Sequence, residues 1–98
     1  MGEEAFGMMY DNFSNVYREL EGIMSSLYDE LQNDPTNMEK ANFLQSLGSV
    51  AKRTLDSQIS LVEEYGDASM KEVLLNNLYA KKQELIDALN MDRDRFRN

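Results

Sequence analysis

The stretch that decides the fold is residues 6–31, FGMMYDNFSNVYRELEGIMSSLYDEL. Bulky apolar residues recur in it at alternating steps of four and three, the heptad pattern of a helix that packs against other helices. The a positions are Tyr10, Tyr17, Met24 and Leu31, and the d positions are Phe6, Phe13, Leu20 and Leu27. Because no polar residue interrupts this seam, it predicts one long packing helix.

Turn signals divide the chain into three predicted helices, at about residues 8–32, 36–65 and 70–90, within a single domain of residues 1–98. The only proline, Pro35, marks the clearest break. The second helix has two candidate caps: Asp34, with Pro35 at the first helical position, or Thr36, with Glu39 three residues later.

The boundary between the second and third helices lies near Gly66. This glycine is predicted to end the second helix in the left-handed conformation. Ser69 and Glu72 have capping-box spacing for the start of the third helix. The tail, residues 91–98, either extends that helix or frays.

The second helix carries a stripe of small and apolar residues. Its members are Ala41, Leu44, Gly48, Ala51, Leu55, Gln58, Val62 and Tyr65. A glycine inside a helix costs about 1 kcal/mol relative to alanine. We therefore expect a large residue of the first helix, such as Tyr10, Phe13 or Tyr17, to approach Gly48 closely.

The predicted fold is all-α: an elongated antiparallel helical hairpin or three-helix bundle with coiled-coil-like packing.

The predicted helix lengths imply a rod. Helices of about 25 and 29 residues span roughly 37 and 43 Å, whereas a compact domain of about 100 residues has a radius of gyration near 13 Å. A thin rod has little interior, so apolar residues beside the core stripes become candidates for binding another protein, either a second copy or a partner helix. The predicted partner-binding residues are Met9, Val16, Ile23, Tyr28, Leu75 and Tyr79, with Phe43 as a further extra apolar position. The alternative is a three-helix core that uses them all.

Charge is unevenly distributed along the chain. Residues 1–34 hold eight carboxylates and one arginine, a balance of −7 within a formal net charge of −8. An acidic chain is a poor candidate for nucleic-acid binding, which depends on neutralising phosphates. The basic tail residues Arg93, Arg95 and Arg97 alternate with acidic ones. They are either solvated or attracted to the acidic first helix of another subunit.

Most chemistry is excluded by composition. The chain has no histidine and no cysteine, so it lacks an imidazole base, a thiolate nucleophile and the usual zinc ligands. Glu63 and Glu64 are adjacent and would point about 100° apart on a helix, and no glycine-rich phosphate loop is present. We therefore expect no enzyme activity, catalytic residue, cofactor, metal or small-molecule substrate. No apolar run or signal-like N-terminus indicates a membrane, so a cytoplasmic location is expected.

In size and helix-turn-helix build the chain resembles small secreted proteins that carry a Trp-x-Gly turn. It has no tryptophan, and the nearest segment, Ser46-Leu47-Gly48, falls inside a predicted helix. Residues 13–62, with the break at Asn33-Asp34-Pro35, are similar in outline to type III secretion needle subunits and to the oligomerising hairpin of phage small terminases. This resemblance includes no diagnostic motif, and it implies that such a chain can serve as an assembly subunit.

These observations favour a non-enzymatic helical module for protein–protein interaction, either a homo-oligomeric assembly subunit or a small adaptor or chaperone. The alternative function is an acidic inhibitor or nucleic-acid mimic, whose first-helix carboxylates occupy a basic site on a partner protein.

Overall fold

A computed structural model describes residues 1–96, and Arg97 and Asn98 lie outside the described residues. The chain forms three helices in the order α1 (Glu3–Asn33), α2 (Met38–Tyr65) and α3 (Ala68–Arg95). The described range contains no strand. The predicted all-α fold is confirmed, in the form of a three-helix bundle.

α1 begins five residues earlier than the sequence pattern predicted. Gly2 has extended backbone angles, φ −74° and ψ 160°, and serves as the N-cap. Glu3 and Glu4 occupy the first turn, where carboxylates interact favourably with the positive end of the helix dipole. The heptad pattern starts only at Phe6, so it could not report this polar first turn.

The start of α2 differs from both predicted caps. Asn37 is the N-cap, and its side-chain Oδ1 accepts a hydrogen bond of 3.1 Å from the backbone N–H of Lys40. Asn37 Nδ2 also donates to Asp34 Oδ2 at 2.9 Å. Pro35 and Thr36 therefore lie in the turn before the helix instead of inside its first turn.

The predicted left-handed Gly66 is wrong. This residue is extended, with φ −68° and ψ 143°. Its small size matters for another reason, because a Cβ atom there would lie 2.5 Å from the carbonyl oxygen of Val62. Asp67 then caps α3 by accepting from the backbone N–H of Ser69 at 3.3 Å, so α3 starts ahead of the predicted capping box.

The tail is part of the fold. Helix α3 continues through Arg95, and the following Phe96 is only 3% exposed. The fraying considered for residues 91–98 is therefore not found in residues 91–96.

The core lies along α2, which the other two helices flank. Six members of the predicted α2 stripe are buried: Leu44, Gly48, Ala51, Leu55, Gln58 and Val62. Tyr65, at the end of that stripe, is instead exposed. The seam of α1 contributes the buried residues Tyr17, Met24, Leu27 and Leu31, and α3 contributes Leu78 and Leu85. The heptad seam is thus confirmed as the inner face of α1.

Gly48 is approached by a different helix from the one predicted. A Cβ atom on Gly48 would lie 2.9 Å from Cγ of Leu89 in α3, and closer still to both Leu89 methyl carbons. Beside it, Gln45 Nε2 donates to the backbone carbonyl oxygen of Leu89 at 2.9 Å. The missing side chain at Gly48 therefore makes room for α3. The sequence had predicted that α1 would approach at this point of α2.

The molecule is an open rod. Its Cα atoms span 48 × 19 × 15 Å with a radius of gyration of 15.6 Å, larger than the roughly 13 Å of a compact chain of this length. Both α1 and α3 pack along α2. Within the described part of the chain, however, no Cα atom of α1 comes within 8 Å of a Cα atom of α3. This separation leaves a groove between the two outer helices.

Candidate functional site

The groove between α1 and α3, here called the α1/α3 groove, has a volume of about 500 Å³. Its apolar lining includes Met24 from α1, Leu44 from α2, and Leu85, Ala88 and Leu89 from α3. Since Leu44 is almost fully buried, it forms the floor, and the outer helices form the walls. Such a shape can receive apolar side chains from another molecule.

Side-chain contacts bridge α1 and α3 at both ends of this groove. At one end, Lys81 Nζ lies 5.2 Å from the ring centroid of Tyr17, a cation–π distance. At the other end, the rings of Tyr28 and Phe96 meet edge to face, with centroids 5.6 Å apart. Arg95 Nη1 also donates a 2.9 Å hydrogen bond to Tyr28 Oη. Tyr28, predicted to bind a partner, thus makes contacts within the molecule.

The rim of the α1/α3 groove is mostly acidic. Glu21, Glu84 and Asp92 line it, against the single lysine Lys81. Burial, together with the nearby charges of Glu21 and Glu84, raises the pKa of Tyr17 from its ordinary value near 10 to about 12. The carboxylates of the rim therefore disfavour ionisation of the Tyr17 phenol at the end of the groove.

Asp92 lies in an environment that penalises its charge. Burial raises the pKa of this carboxyl, and the neighbouring Arg95 lowers it only in part. The ionised Asp92 would therefore gain from an additional cation placed in the groove.

A second surface lies where α1 and α2 meet. An ion pair of 3.2 Å joins Glu30 Oε1 of α1 to Lys40 Nζ of α2. Seven-residue steps keep a residue on the same side of a helix. The Glu30 stripe therefore continues back through Ile23, Val16 and Met9, and the antiparallel Lys40 stripe continues forward to Leu47. These two stripes run side by side along the rod.

This second surface exposes large apolar side chains, and we call it the apolar face. Its members are Met9, Val16 and Ile23 on α1, 40%, 44% and 48% exposed, and Phe43 and Val50 on α2, 53% and 39% exposed. Phe43 and Val50 lie four residues before and three after Leu47, so they share its side of α2. The structure thus brings three of the predicted partner-binding residues together with Phe43.

Small polar residues border the apolar face. Three or four residues from its members lie Asn12 and Ser26 on α1 and Ser46 on α2, all exposed. At the same spacing, the charged residues are Glu19 on α1 and Glu39, Lys40 and Arg53 on α2. The two acidic and two basic residues on this border balance one another, although the chain as a whole carries a formal net charge of −8.

The last two predicted partner-binding residues lie elsewhere. Leu75 precedes Lys82 by one heptad, and Lys82 Nζ pairs with Asp56 Oδ1 of α2 at 2.6 Å. Leu75 therefore faces along α2 and is half-buried, while Tyr79 beside it is 50% exposed. The six predicted residues do not form one surface.

A third feature is a groove of about 460 Å³ at the end of the rod where α1 begins, with Phe6, Tyr10, Tyr65, Met70 and Leu74 among its lining residues. Within residues 1–96, no group of three or more acidic side chains is placed to hold a metal ion. In the same range, none of the helices combines the length and apolarity needed to cross a membrane.

Sequence reasoning found the apolar face in part but missed the α1/α3 groove. The heptad positions of Met9, Val16 and Ile23 are local information, whereas the groove depends on how far apart two helices lie. Its one local signal is the pair Lys81 and Lys82, which interrupts the apolar stripe of α3. Lys82 pairs with α2, and Lys81 reaches across to Tyr17 of α1.

Comparison with known proteins identifies no relative. No protein-family model matches the chain, and searches of curated proteins and of solved structures find no match either.

Proposed function

We propose that this protein is a non-enzymatic helical interaction module that associates with a second copy of itself through the apolar face. One observation carries this proposal: Met9, Val16, Ile23, Phe43 and Val50 are each at least 39% exposed on one side of the rod. Several large apolar side chains exposed on one side of a protein are typical of a site that another protein covers.

The size of the apolar face suits a dimer. At about 200 Å² for a fully exposed large side chain, the five residues present roughly 450 Å² of apolar surface. Since homodimer interfaces are about 65% apolar, this corresponds to roughly 700 Å² on each partner. A standard interface buries about 800 Å² on each partner. Self-association through this face would therefore bury an ordinary amount of surface.

The charge pattern also favours a second copy here. Two copies repel one another through their net charge of −8 each, so a shared interface must keep carboxylates away from its centre. The border of the apolar face contains serine and asparagine, and its two carboxylates, Glu19 and Glu39, are matched by Lys40 and Arg53. Glu21, in contrast, lies on the side of α1 that lines the α1/α3 groove.

The proposal is tested by sedimentation velocity at physiological salt, from about 10 µM to about 500 µM protein, where mass action reveals a reversible dimer. We expect a species of twice 11.3 kDa that grows with concentration. Ile23→Ser combined with Phe43→Ser should raise the dimer dissociation constant at least about 30-fold. The helical circular dichroism should be unchanged, because both side chains are half exposed.

The matched control replaces two equally exposed apolar residues of α3. Val73→Ser combined with Tyr79→Ser removes side chains that are 61% and 50% exposed and that lie outside the apolar face. This variant should keep the wild-type dissociation constant within about threefold. A wild-type chain that stays at 11.3 kDa at the highest concentration would refute self-association. Equal weakening by both double variants would refute the assignment to the apolar face.

A further inference from the structure

We propose that the α1/α3 groove binds one amphipathic helix of another protein, a helix whose apolar face is flanked by lysine or arginine. This surface is separate from the apolar face, so the inference stands whether or not the protein self-associates. It would make the chain an adaptor with one face for itself and one groove for a partner.

The dimensions of the groove favour the side chains of a helix. Tyr17 and Tyr28, at its two ends, are eleven residues apart on α1, which is about 16 Å along the axis. Between these ends the groove is open and is lined mainly by apolar side chains. Anchors at positions i, i+4 and i+7 of a docked helix span about 10 Å and fit within the groove.

The bundle has room for such a helix above the groove. α1 and α3 contact one another through Tyr17 with Lys81 and through Tyr28 with Arg95 and Phe96, while their backbones stay apart. A fourth helix above this gap would complete the four-helix packing that buries wide apolar stripes well.

Charge selects the kind of helix. Glu21, Glu84 and Asp92 on the rim outnumber Lys81 and the Arg95 that contacts Tyr28 at one end. A second copy of this chain carries a net charge of −8 and would be repelled. A helix with basic flanks would meet complementary charges on both walls, because Glu21 lies on α1 and Glu84 on α3.

The test uses two synthetic fluorescent peptides of about 18 residues, long enough to form a helix on binding. Both carry the same leucine face, and the flanking residues are lysine in one and glutamate in the other. Fluorescence anisotropy at physiological salt, with the full-length protein as titrant, should show saturable one-to-one binding of the leucine/lysine peptide. The leucine/glutamate peptide should bind at least about 30-fold more weakly.

A pair of tryptophan variants locates the binding site. Ala88 lines the groove and is exposed, so Ala88→Trp fills the groove without disturbing the core. It should weaken binding of the leucine/lysine peptide at least about tenfold. Ala80→Trp places the same side chain at an exposed position of α3 outside the groove lining, and it should change the affinity by less than about twofold.

A pair of charge reversals separates groove binding from general attraction to an acidic protein. Glu21→Lys with Glu84→Lys and the control Glu63→Lys with Glu72→Lys change the net charge equally. Only the first pair lines the groove. We expect about tenfold weaker binding for the groove pair and less than about threefold for the control. Binding should be unchanged in Ile23→Ser with Phe43→Ser, which alters only the apolar face.

Several results would overturn the inference. They are a lack of saturable binding by the leucine/lysine peptide, equal binding of the two peptides, and equal losses in a groove variant and its matched control. Amide chemical shifts give an independent check. On peptide addition they should move at Leu85 and Ala88, and movement confined to Phe43 and Val50 would place the peptide on the apolar face instead.

Discussion

Replacing Gly48 by alanine tests the contact that holds α3 against α2. Two opposing effects decide the outcome. Alanine in a helix interior is about 1 kcal/mol more favourable than glycine. Against this, the new methyl group would lie 2.9 Å from Leu89 Cγ and closer to its methyl carbons, so Leu89 must move. Forcing an extra methyl group into a packed site costs about 1 to 3 kcal/mol.

The backbone of α3 has limited freedom to move at Leu89. Gln45 Nε2 holds its backbone carbonyl at 2.9 Å, which resists a shift of α3 away from α2. We therefore expect the steric cost to exceed the gain in helix propensity. Gly48→Ala should lower the free energy of unfolding by about 1 kcal/mol, which corresponds to a fall in Tm of about 4 to 8 °C for a chain of this size.

The chain offers a matched control in Gly22, which lies in the exposed middle of α1. A Cβ atom there would meet no heavy atom within 4 Å. Gly22→Ala should therefore raise the free energy of unfolding by about 1 kcal/mol, because only helix propensity changes. Urea unfolding followed by circular dichroism at 222 nm measures both variants.

Removing the obstructing side chain should reverse the sign of the effect. In a Leu89→Ala background, Gly48→Ala should stabilise the protein by about the same amount as Gly22→Ala. If Gly48→Ala stabilised the protein while Leu89 is intact, the close approach of α3 at Gly48 would be refuted. A negligible coupling between the two sites would refute it as well.

Three further predictions concern ionisation, capping and the tail. Because the pKa of Tyr17 is raised to about 12 from its ordinary value near 10, its contribution to stability is complete below pH 10 and is lost as pH rises towards 12, by about 2 kcal/mol. Urea unfolding against pH, compared with Tyr17→Phe, should show this loss in the wild type only. Asn37→Ala should cost about 1 kcal/mol in urea unfolding, whereas Thr36→Ala should cost little, because Asn37 caps α2; equal losses would contradict the cap. Phe96→Ala should lower the unfolding free energy by about 3 kcal/mol, since this side chain is 3% exposed, and a neutral effect would show that the tail does not contribute to the core.

The helices were predictable to different degrees, for local physical reasons. The a/d seam of α1 and the stripe of α2 were readable because helical periodicity places their apolar residues on one side. Helix ends were less predictable. Asn37 and Asp67 act as the N-caps, but neighbouring residues also have side chains that could form a cap. That choice depends on the path of the turn, which tertiary packing constrains.

The candidate surfaces, like the helices, were predictable only where local periodicity places the residues. Periodicity indicated that Met9, Val16 and Ile23 lie on one side of α1 and that they exceed what the seam needs. It could not show that Tyr28 would pack against Phe96. Nor could it show that Leu75 and Tyr79 would lie on another side of the rod. Those outcomes depend on the angle at which each helix meets α2.

By itself, the sequence determined that this chain is all-α and elongated, because these properties follow from the spacing of apolar residues along single helices. Only the tertiary structure decided which helix approaches Gly48, which apolar residues stay exposed and where a groove opens. The distance between α1 and α3 arises from side chains far apart in the chain, such as Leu89 against Gly48 and Lys81 over Tyr17. The spacing of apolar residues within one helix carries no information about the distance between two helices.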